Sequence, residues 1–295
     1  MSLSFNGLGN EGRLGNQMFQ YASLRGIAAN RGFDWIIPPS DVFRYDNYGL
    51  FDCFELKNCT EQNIGESGHK TEEHRVMHFL EDFYNTISDN TNLSGMFQTE
   101  KYFENVSDSI REDFTFKSAY LDPCKDFISS IEGDPIFLHV RRGNPNITGR
   151  RGEKWSYQMV QEYHPLCKKE YYFEALKQFP EDVPVIVVSD LIDWCKKQEW
   201  LQGDRFYFSD SSYETFGDGA SVPYVDLCLM SLCKGGIIAN SSLSWWGAWL
   251  QNDVNKIIAP DPWFGPAYSH YNMSDLIPSR WIKIDNDPSF VEPEE

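Results

Sequence analysis

The sequence lacks any apolar run long enough to cross a membrane, because no stretch approaches the eighteen or so residues that a spanning helix needs. Its first residues also lack the apolar core of a secretory signal peptide. We therefore expect a cytoplasmic protein without stable membrane insertion. Peripheral attachment to a membrane, or a truncated form of a membrane-anchored protein, would leave the same features in the sequence.

Positive charge is also scarce, with 26 Lys and Arg against 44 Asp and Glu and a net charge of −18. Such an acidic chain repels nucleic acid and anionic lipid, so both are excluded as general partners. A small anionic ligand is compatible with this balance only where the few positive charges are concentrated. That concentration occurs at Arg141, Arg142, Arg150 and Arg151.

The seven cysteines are scattered, and neither a CxxC pair nor a Cys/His cluster has the spacing of a metal site. This distribution predicts mostly buried, reduced thiols, as is usual in the cytoplasm.

The second half of the chain alternates apolar runs with amphipathic stretches, which predicts an α/β fold with a doubly wound, mostly parallel sheet. The N-terminal part predicts a helix ending near Gly32 and a short strand at Trp35 to Ile37, followed by a weak pattern with one helical stretch near Gln98 to Phe114. The change of pattern predicts two domains, 1–132 and 133–295. The strands predicted in the second domain are 136–140, 183–188, 205–208, 236–239 and 256–259, and the helices are 171–179, 226–233 and 242–250.

Polar residues follow three of these predicted strands, where ligands of open parallel sheets bind. The groups are Arg141-Arg142-Gly143, Ser189-Asp190 and Asn240-Ser241-Ser242. Arginines and serine-bearing helix starts are complementary to a nucleotide diphosphate.

The Asn240-Ser241-Ser242 group lies at the start of a predicted helix, where unpaired N–H groups and the helix dipole favour an anion. An ordinary N-cap on a buried helix explains the same residues equally well.

Arg141 and Arg142 follow His139 directly. A guanidinium group can hold a phosphate with two hydrogen bonds, and successive side chains of an extended chain point to opposite sides. We therefore expect one arginine to face the ligand crevice and the other to make a structural ion pair. His139 is a candidate to bind a base, a ribose or the phosphate, although a buried histidine with an internal hydrogen bond is the commoner case.

The turn from Gly12 to Gln17 precedes the first predicted helix. It matches neither a Walker loop nor the GxGxxG dinucleotide motif. Taken alone, it indicates a turn with a helix N-cap.

Three segments together resemble the glycosyltransferase family 11 α-1,2-fucosyltransferases. They are GRLGNQMFQYA from Gly12, HVRRG from His139 and ANSSLSWWGAWL from Ala239. The similarity extends in order over nearly the whole chain, and Ser189-Asp190 with Trp194-Cys195, and Asp226 with Leu229-Met230-Ser231, also look like motifs of that family.

The resemblance implies a two-domain GT-B-like fold, GDP-fucose as donor and inversion at the anomeric carbon. It implies that Arg141 or Arg142 holds the β-phosphate with help from Ser241 and Ser242 beside Asn240. His139 and Asp190 would lie near the nucleoside. Arg13 and Asn16 would approach the diphosphate or the fucose from the N-terminal domain, the acceptor side, while 133–295 binds the GDP-sugar.

The resemblance also implies that no metal is required. Asp285-Asn286-Asp287 has the DxD form by which many sugar transferases hold a metal-bridged diphosphate. We place it in a polar tail beyond the last strand and assign it no metal.

The chain departs from the family pattern at Asn144, where an aspartate is usual, and is only loosely similar from there to Cys167. Glu153 and His164 lie in this stretch and are the candidates for a general base that accepts the acceptor's proton. The expected activity is transfer of L-fucose to O-2 of a β-galactoside in an oligosaccharide acceptor. Transfer with an α-1,3 or α-1,6 linkage, and a non-catalytic carbohydrate- or nucleotide-binding relative, are the alternatives.

Overall fold

The computed structural model describes residues 1–9, 12–38, 49–56, 71–74, 77–142, 161–209, 223–254 and 256–286. The chain divides into two compact units, an N-terminal unit of 1–118 with 271–279 and a C-terminal unit of 119–270 with 280–295. The two domains predicted from the sequence, 1–132 and 133–295, stay a prediction. No helix in these ranges is both long and apolar enough to cross a bilayer.

The N-terminal unit is built on a four-stranded parallel sheet with the order β2-β1-β4-β3. Its strands are β1 Ser2–Ser4, β2 Asp34–Ile36, β3 Thr71–His74 and β4 Thr91–Gly95. Its helices are α1 Leu14–Arg31, α2 Leu50–Cys53, α3 Glu81–Thr86 and α4 Ser107–Asp113, with 3-10 turns at Glu100–Tyr102 and Glu104–Val106.

Helix α1 confirms the first helix predicted from the sequence. It ends at Gly32, which adopts a left-handed conformation with φ of 66°. The Gly32 N–H donates to the Ala29 carbonyl at 3.1 Å, and Phe33 N–H donates to the Ala28 carbonyl at 2.9 Å. These bonds satisfy carbonyls that a helix end leaves open, and only glycine adopts this conformation at little cost.

The C-terminal unit contains a six-stranded sheet whose strands are all parallel, with the order β10-β9-β8-β5-β6-β7. The strands are β5 Ile136–Val140, β6 Val185–Ser189, β7 Phe206–Phe208, β8 Gly236–Ile237, β9 Ile257–Asp261 and β10 Ile282–Asp285. The helices are α5 Ser118–Ser129, α6 Lys169–Leu176, α7 Ile192–Cys195, α8 Pro223–Leu232 and α9 Ser242–Trp249. The doubly wound parallel sheet is confirmed.

Strand β10 corrects the placement of Asp285, which was expected in a polar tail beyond the last strand. Asp285 ends this strand and pairs with Asp261 of β9. The next residue, Asn286, is almost fully buried and accepts a hydrogen bond from the Lys168 N–H at 3.1 Å. The sequence concealed the strand because β10 lies at the sheet edge, where charged residues alternate with apolar ones.

Buried tyrosines of α6 tie the sheet together near its carboxyl edge. The Tyr171 hydroxyl donates to the Ile238 carbonyl at 2.6 Å and also lies 3.3 Å from the Ile258 carbonyl. The Tyr172 hydroxyl donates to the His139 carbonyl at 3.2 Å. These contacts join β5, β9 and the end of β8 to one helix, so α6 is fixed on the sheet beneath the residues that follow β5 and β8.

We expect Tyr171→Phe to lower the free energy of unfolding by about 1–3 kcal/mol, because it leaves a buried carbonyl without its donor. Urea denaturation measures the change. Tyr207→Phe, on the half-buried edge strand β7, is the matched control and should have little effect. Equal stabilities for the two variants would show that the Tyr171 hydroxyl contributes nothing to the sheet.

Candidate functional site

The strand order of the C-terminal unit reverses between β5 and β8. From β5 the chain proceeds outward through β6 and β7, and from β8 it proceeds in the opposite direction through β9 and β10. At such a reversal the connecting helices leave on opposite faces of the sheet and open a crevice at the carboxyl ends of the strands. The residues that follow β5 and β8 therefore border the crevice where a ligand is expected.

Arg141, which follows β5, reaches across this reversal. Its Nη1 donates a hydrogen bond of 3.1 Å to the main-chain carbonyl of Asn240, which follows β8. The Arg141 side chain is only half-buried. The bond fixes a positive charge at the mouth of the crevice, beside the helix that begins two residues after Asn240.

Arg142 has different neighbours. Its N–H donates to the Asp190 carboxylate at 2.8 Å, and its guanidinium carbon lies 4.1 Å from the centre of the Trp194 ring in α7. This cation–π contact holds the Arg142 side chain toward the end of β6. The two arginines therefore point in different directions, and Arg141 is the one that bridges β5 and β8.

His139 is buried at the end of β5, and its Nδ1 has no hydrogen-bond partner among the residues that the structure describes. Burial, assisted by the charge of Arg141, lowers the pKa of His139 to about 3. The imidazole is therefore neutral at physiological pH. A buried ring nitrogen without a partner is rare, and a bound ligand is one group that can satisfy it.

Ser241 caps helix α9, since its Oγ accepts a hydrogen bond from the Leu243 N–H at 3.3 Å. Ser241 is therefore an ordinary N-cap, which was one of the two interpretations that the sequence allowed. Ser242 is the first residue of the helix and is half-exposed. Its N–H and hydroxyl lie at the positive end of the helix, where an anion is stabilised.

The Asn240 side chain is used inside the protein. It is 3% exposed, and its amide nitrogen donates to the Pro165 carbonyl at 2.6 Å and to the Trp263 carbonyl at 3.1 Å. Through its carbonyl, Asn240 also accepts the bond from Arg141. Sequence reasoning named Asn240 for the donor site but gave no sign of these two loops, because the partners lie 75 and 23 residues away.

Of the two candidate bases, Glu153 lies outside the described residues. His164 lies half-buried, with ring contacts to Phe264 at 5.3 Å and Tyr268 at 6.0 Å. Burial, followed by the charge of Arg141, lowers the pKa of His164 to about 4. A neutral imidazole with so low a pKa is a weak base, because general-base catalysis is most efficient when the pKa lies near the working pH.

Arg13 and Asn16 belong to the N-terminal unit. Arg13 is exposed and precedes α1, and its carbonyl accepts from the N–H groups of Asn16 and Gln17. The Asn16 Oδ1 accepts from Gln98 Nε2 at 2.8 Å. Gly12 has φ of 76°, and a Cβ there would lie 2.4 Å from the Asn16 Cβ. Glycine is therefore required for the turn that seats Asn16.

The structure thus gathers His139, Arg141, Arg142 and Asp190 with Asn240, Ser241 and Ser242 along one edge of the C-terminal sheet. Within the described ranges, no three His, Cys, Asp or Glu side chains form a potential metal site. Sequence reasoning missed Trp194 as the platform beneath Arg142. The cue was its position a few residues after Ser189-Asp190, in the short helix α7.

A family model and several known proteins match this chain over most of its length. A family model described as Glycosyl transferase family 11 matches residues 4–284. An α-1,2-colitosyltransferase of Escherichia coli is 30% identical, over 93% of this chain and 97% of its own. Galactoside α-(1,2)-fucosyltransferase 1 of Aotus azarae is 25% identical, over 91% of this chain and 75% of its own.

The fold is shared with the fucosyltransferase NodZ from Bradyrhizobium, with a TM-score of 0.55 at 14% identity over 88% of this chain and 94% of that chain. This likeness confirms the predicted GT-B-like α/β fold.

The lowered pKa of His164 can be measured directly. We expect the His164 ring resonances to stay unchanged between about pH 5.5 and 8, because the ring is already neutral there. Proton NMR titration follows the signal, which His164→Gln assigns by its disappearance. Arg141→Gln should raise the midpoint, since it removes a positive charge that opposes protonation. A wild-type midpoint near the ordinary value of about 6.5 would contradict the burial of this ring.

Proposed function

Because this chain belongs to glycosyltransferase family 11, we propose that it transfers L-fucose from GDP-fucose to O-2 of a β-galactoside in a glycan acceptor. That the chain is a glycosyltransferase follows from the family. The sugar, the linkage and the acceptor are the parts that we propose. The α-1,2 linkage and the galactoside are supported by the names of the relatives, which are α-1,2-colitosyl- and galactoside α-(1,2)-fucosyltransferases.

The observation that carries the donor assignment is the Arg141 bridge beside the start of α9. A nucleoside diphosphate needs a cation and a row of N–H donors, and the crevice between β5 and β8 offers both. We assign the β-phosphate to Arg141 and Ser242, with Ser241 holding the helix start in shape. The nucleoside is assigned to the side of β6, near His139 and Asp190.

The proposed reaction is a single displacement at the anomeric carbon. The acceptor oxygen forms a bond to C1 as the bond from C1 to the β-phosphate oxygen breaks, and GDP leaves with the electron pair. The acceptor hydroxyl loses its proton to a base or to solvent. Inversion follows because attack and departure occur on opposite faces of the sugar.

Negative charge grows on the β-phosphate in the transition state. Arg141 and the N–H groups at the start of α9 are already in place for it, and one such donor is worth about 3 kcal/mol of the barrier. With so weak a base as His164, we infer that stabilisation of the leaving group supplies most of the rate enhancement that these residues provide.

GDP-colitose is a second candidate donor, because the relative that is 30% identical over 93% of the chain is a colitosyltransferase. Colitose is the 3-deoxy form of L-fucose, so the two donors share the diphosphate and the C6 methyl group. Transfer rates with the two GDP-sugars, on one panel of β-galactosides, decide between them. Linkage analysis of the product by NMR tests the 1,2 bond, and an α-1,3 or α-1,6 product would overturn that part of the proposal.

We expect Arg141→Ala to lower kcat about 100- to 1,000-fold while the circular dichroism spectrum is preserved, because a donor to the leaving phosphate is lost. Arg205→Ala is the control and should leave kcat unchanged. Arg205 lies beside the edge strand β7, where it donates to the Glu181 carbonyl at 2.8 Å. Arg142→Ala should also reduce turnover, because it removes the guanidinium that stacks on Trp194. It keeps the main-chain N–H that donates to Asp190. Near-wild-type turnover of Arg141→Ala would overturn the phosphate assignment.

We also propose that no metal takes part, since Arg141 and the start of α9 can offset the diphosphate charge. Turnover should therefore be the same after exhaustive dialysis against EDTA as before it. Added Mg²⁺ or Mn²⁺ should not raise the rate of the dialysed enzyme. A loss of activity that either ion restores would count against this part of the proposal.

A further inference from the structure

Four rings cluster at the carboxyl edge of the C-terminal sheet, on segments 161–168 and 261–268. We call Tyr163, His164, Phe264 and Tyr268 the aromatic wall. Tyr268 lies centrally, with ring centres 5.2 Å from Tyr163 and 5.2 Å from Phe264. Phe264 is buried at 8% exposure, whereas the other three rings are half-buried. The cluster therefore combines one buried ring with three that are partly exposed.

The aromatic wall is firmly built. The Gly265 N–H donates to the Tyr163 carbonyl at 3.2 Å, and a Cβ at Gly265 would lie 2.3 Å from the Glu162 carbonyl oxygen. The two segments approach so closely that only glycine fits. The Asn240 amide joins both segments again through Pro165 and Trp263. Rings held in this way are preorganised for a ligand, because binding does not have to order them.

The order of the strands places the aromatic wall at one end of a row. Asp190 follows β6, Arg141 follows β5, Ser242 begins the helix after β8, and the segment 261–268 follows β9. Neighbouring strands lie about 4.8 Å apart, so the row from β6 to β9 spans about 14 Å. That length suits a ribose, two phosphates and a pyranose ring laid end to end. With the nucleoside at β6 and the diphosphate between β5 and β8, the transferred sugar falls beside the aromatic wall.

A second observation supports this closeness. The charge of Arg141 contributes to the low pKa of His164, so this ring of the aromatic wall lies within electrostatic reach of the phosphate residue. Asn240 links them structurally, since it accepts from Arg141 and donates to both wall segments. A sugar bonded to a phosphate held at Arg141 would therefore meet these rings.

We propose that the aromatic wall is the subsite for the transferred sugar and selects hexoses that carry a methyl group in place of the C6 hydroxymethyl group. The inference rests on the proposed function, in which the donor is GDP-fucose or GDP-colitose. Both sugars present that methyl group, which packs against ring edges without loss of a hydrogen bond. A C6 hydroxyl would be removed from water and placed against carbon.

The test compares GDP-L-fucose with GDP-L-galactose, which has the same ring stereochemistry but carries the C6 hydroxyl. An apolar pocket typically rejects an added hydroxyl by about 100-fold, so we expect that ratio of kcat/KM in the wild-type enzyme. Phe264→Ala and Tyr268→Ala should reduce the ratio to about 10-fold or less, because the enlarged subsite admits water with the hydroxyl. Phe173→Ala, which removes an exposed ring of α6, should leave it unchanged.

The ratio separates selectivity from folding, because a smaller fraction of folded enzyme lowers both rates equally. If circular dichroism shows that Phe264→Ala does not fold, the kcat/KM ratio of Tyr268→Ala tests the inference. A wild-type enzyme that uses both donors equally, or a ratio unchanged in the folded variants, would overturn the inference and leave the proposed function standing. Inactivity of the wild type with both GDP-fucose and GDP-colitose would instead overturn the proposed function, and the inference with it.

Discussion

The position of positive charge at the carboxyl edge of the C-terminal sheet depends on one hydrogen bond, from the Arg141 guanidinium to the Asn240 carbonyl. It joins the residues that follow β5 and β8, the two neighbouring parallel strands at which the order of the strands in the sheet reverses. Without that reversal no crevice would open there. Without the bond, the flexible Arg141 side chain would extend into water, and its charge would be poorly placed for an anion at the start of α9.

Asn240 turns this local contact into a larger assembly. Its backbone accepts from Arg141, while its buried amide holds the segments on either side of Pro165 and Trp263. An amide nitrogen has two hydrogens and here faces two carbonyl oxygens, so its donor capacity is fully used. A carboxylate at this position could donate neither bond. The identity of the residue is therefore explained by the loops that it positions.

Apolar strands such as β5 and β6 were predictable from the sequence, because a strand buried on both faces must be apolar throughout. The short polar strands β1 and β4 and the edge strand β10 carried no such signal, since they combine polar with apolar residues. The residues near the crevice could be named because polar groups follow apolar strands. Their individual contacts could not, because each partner comes from a distant part of the chain.

The sequence by itself determined the family, the alternation of strands and helices, and the residues at the strand ends. These are local properties, set by hydrophobic periodicity and by motifs of contiguous residues. Only the tertiary structure decided that Arg141 crosses to Asn240 while Arg142 stacks on Trp194, and that four rings from two separate segments meet. Such contacts depend on strand order and side-chain direction, which arise when the whole sheet is assembled.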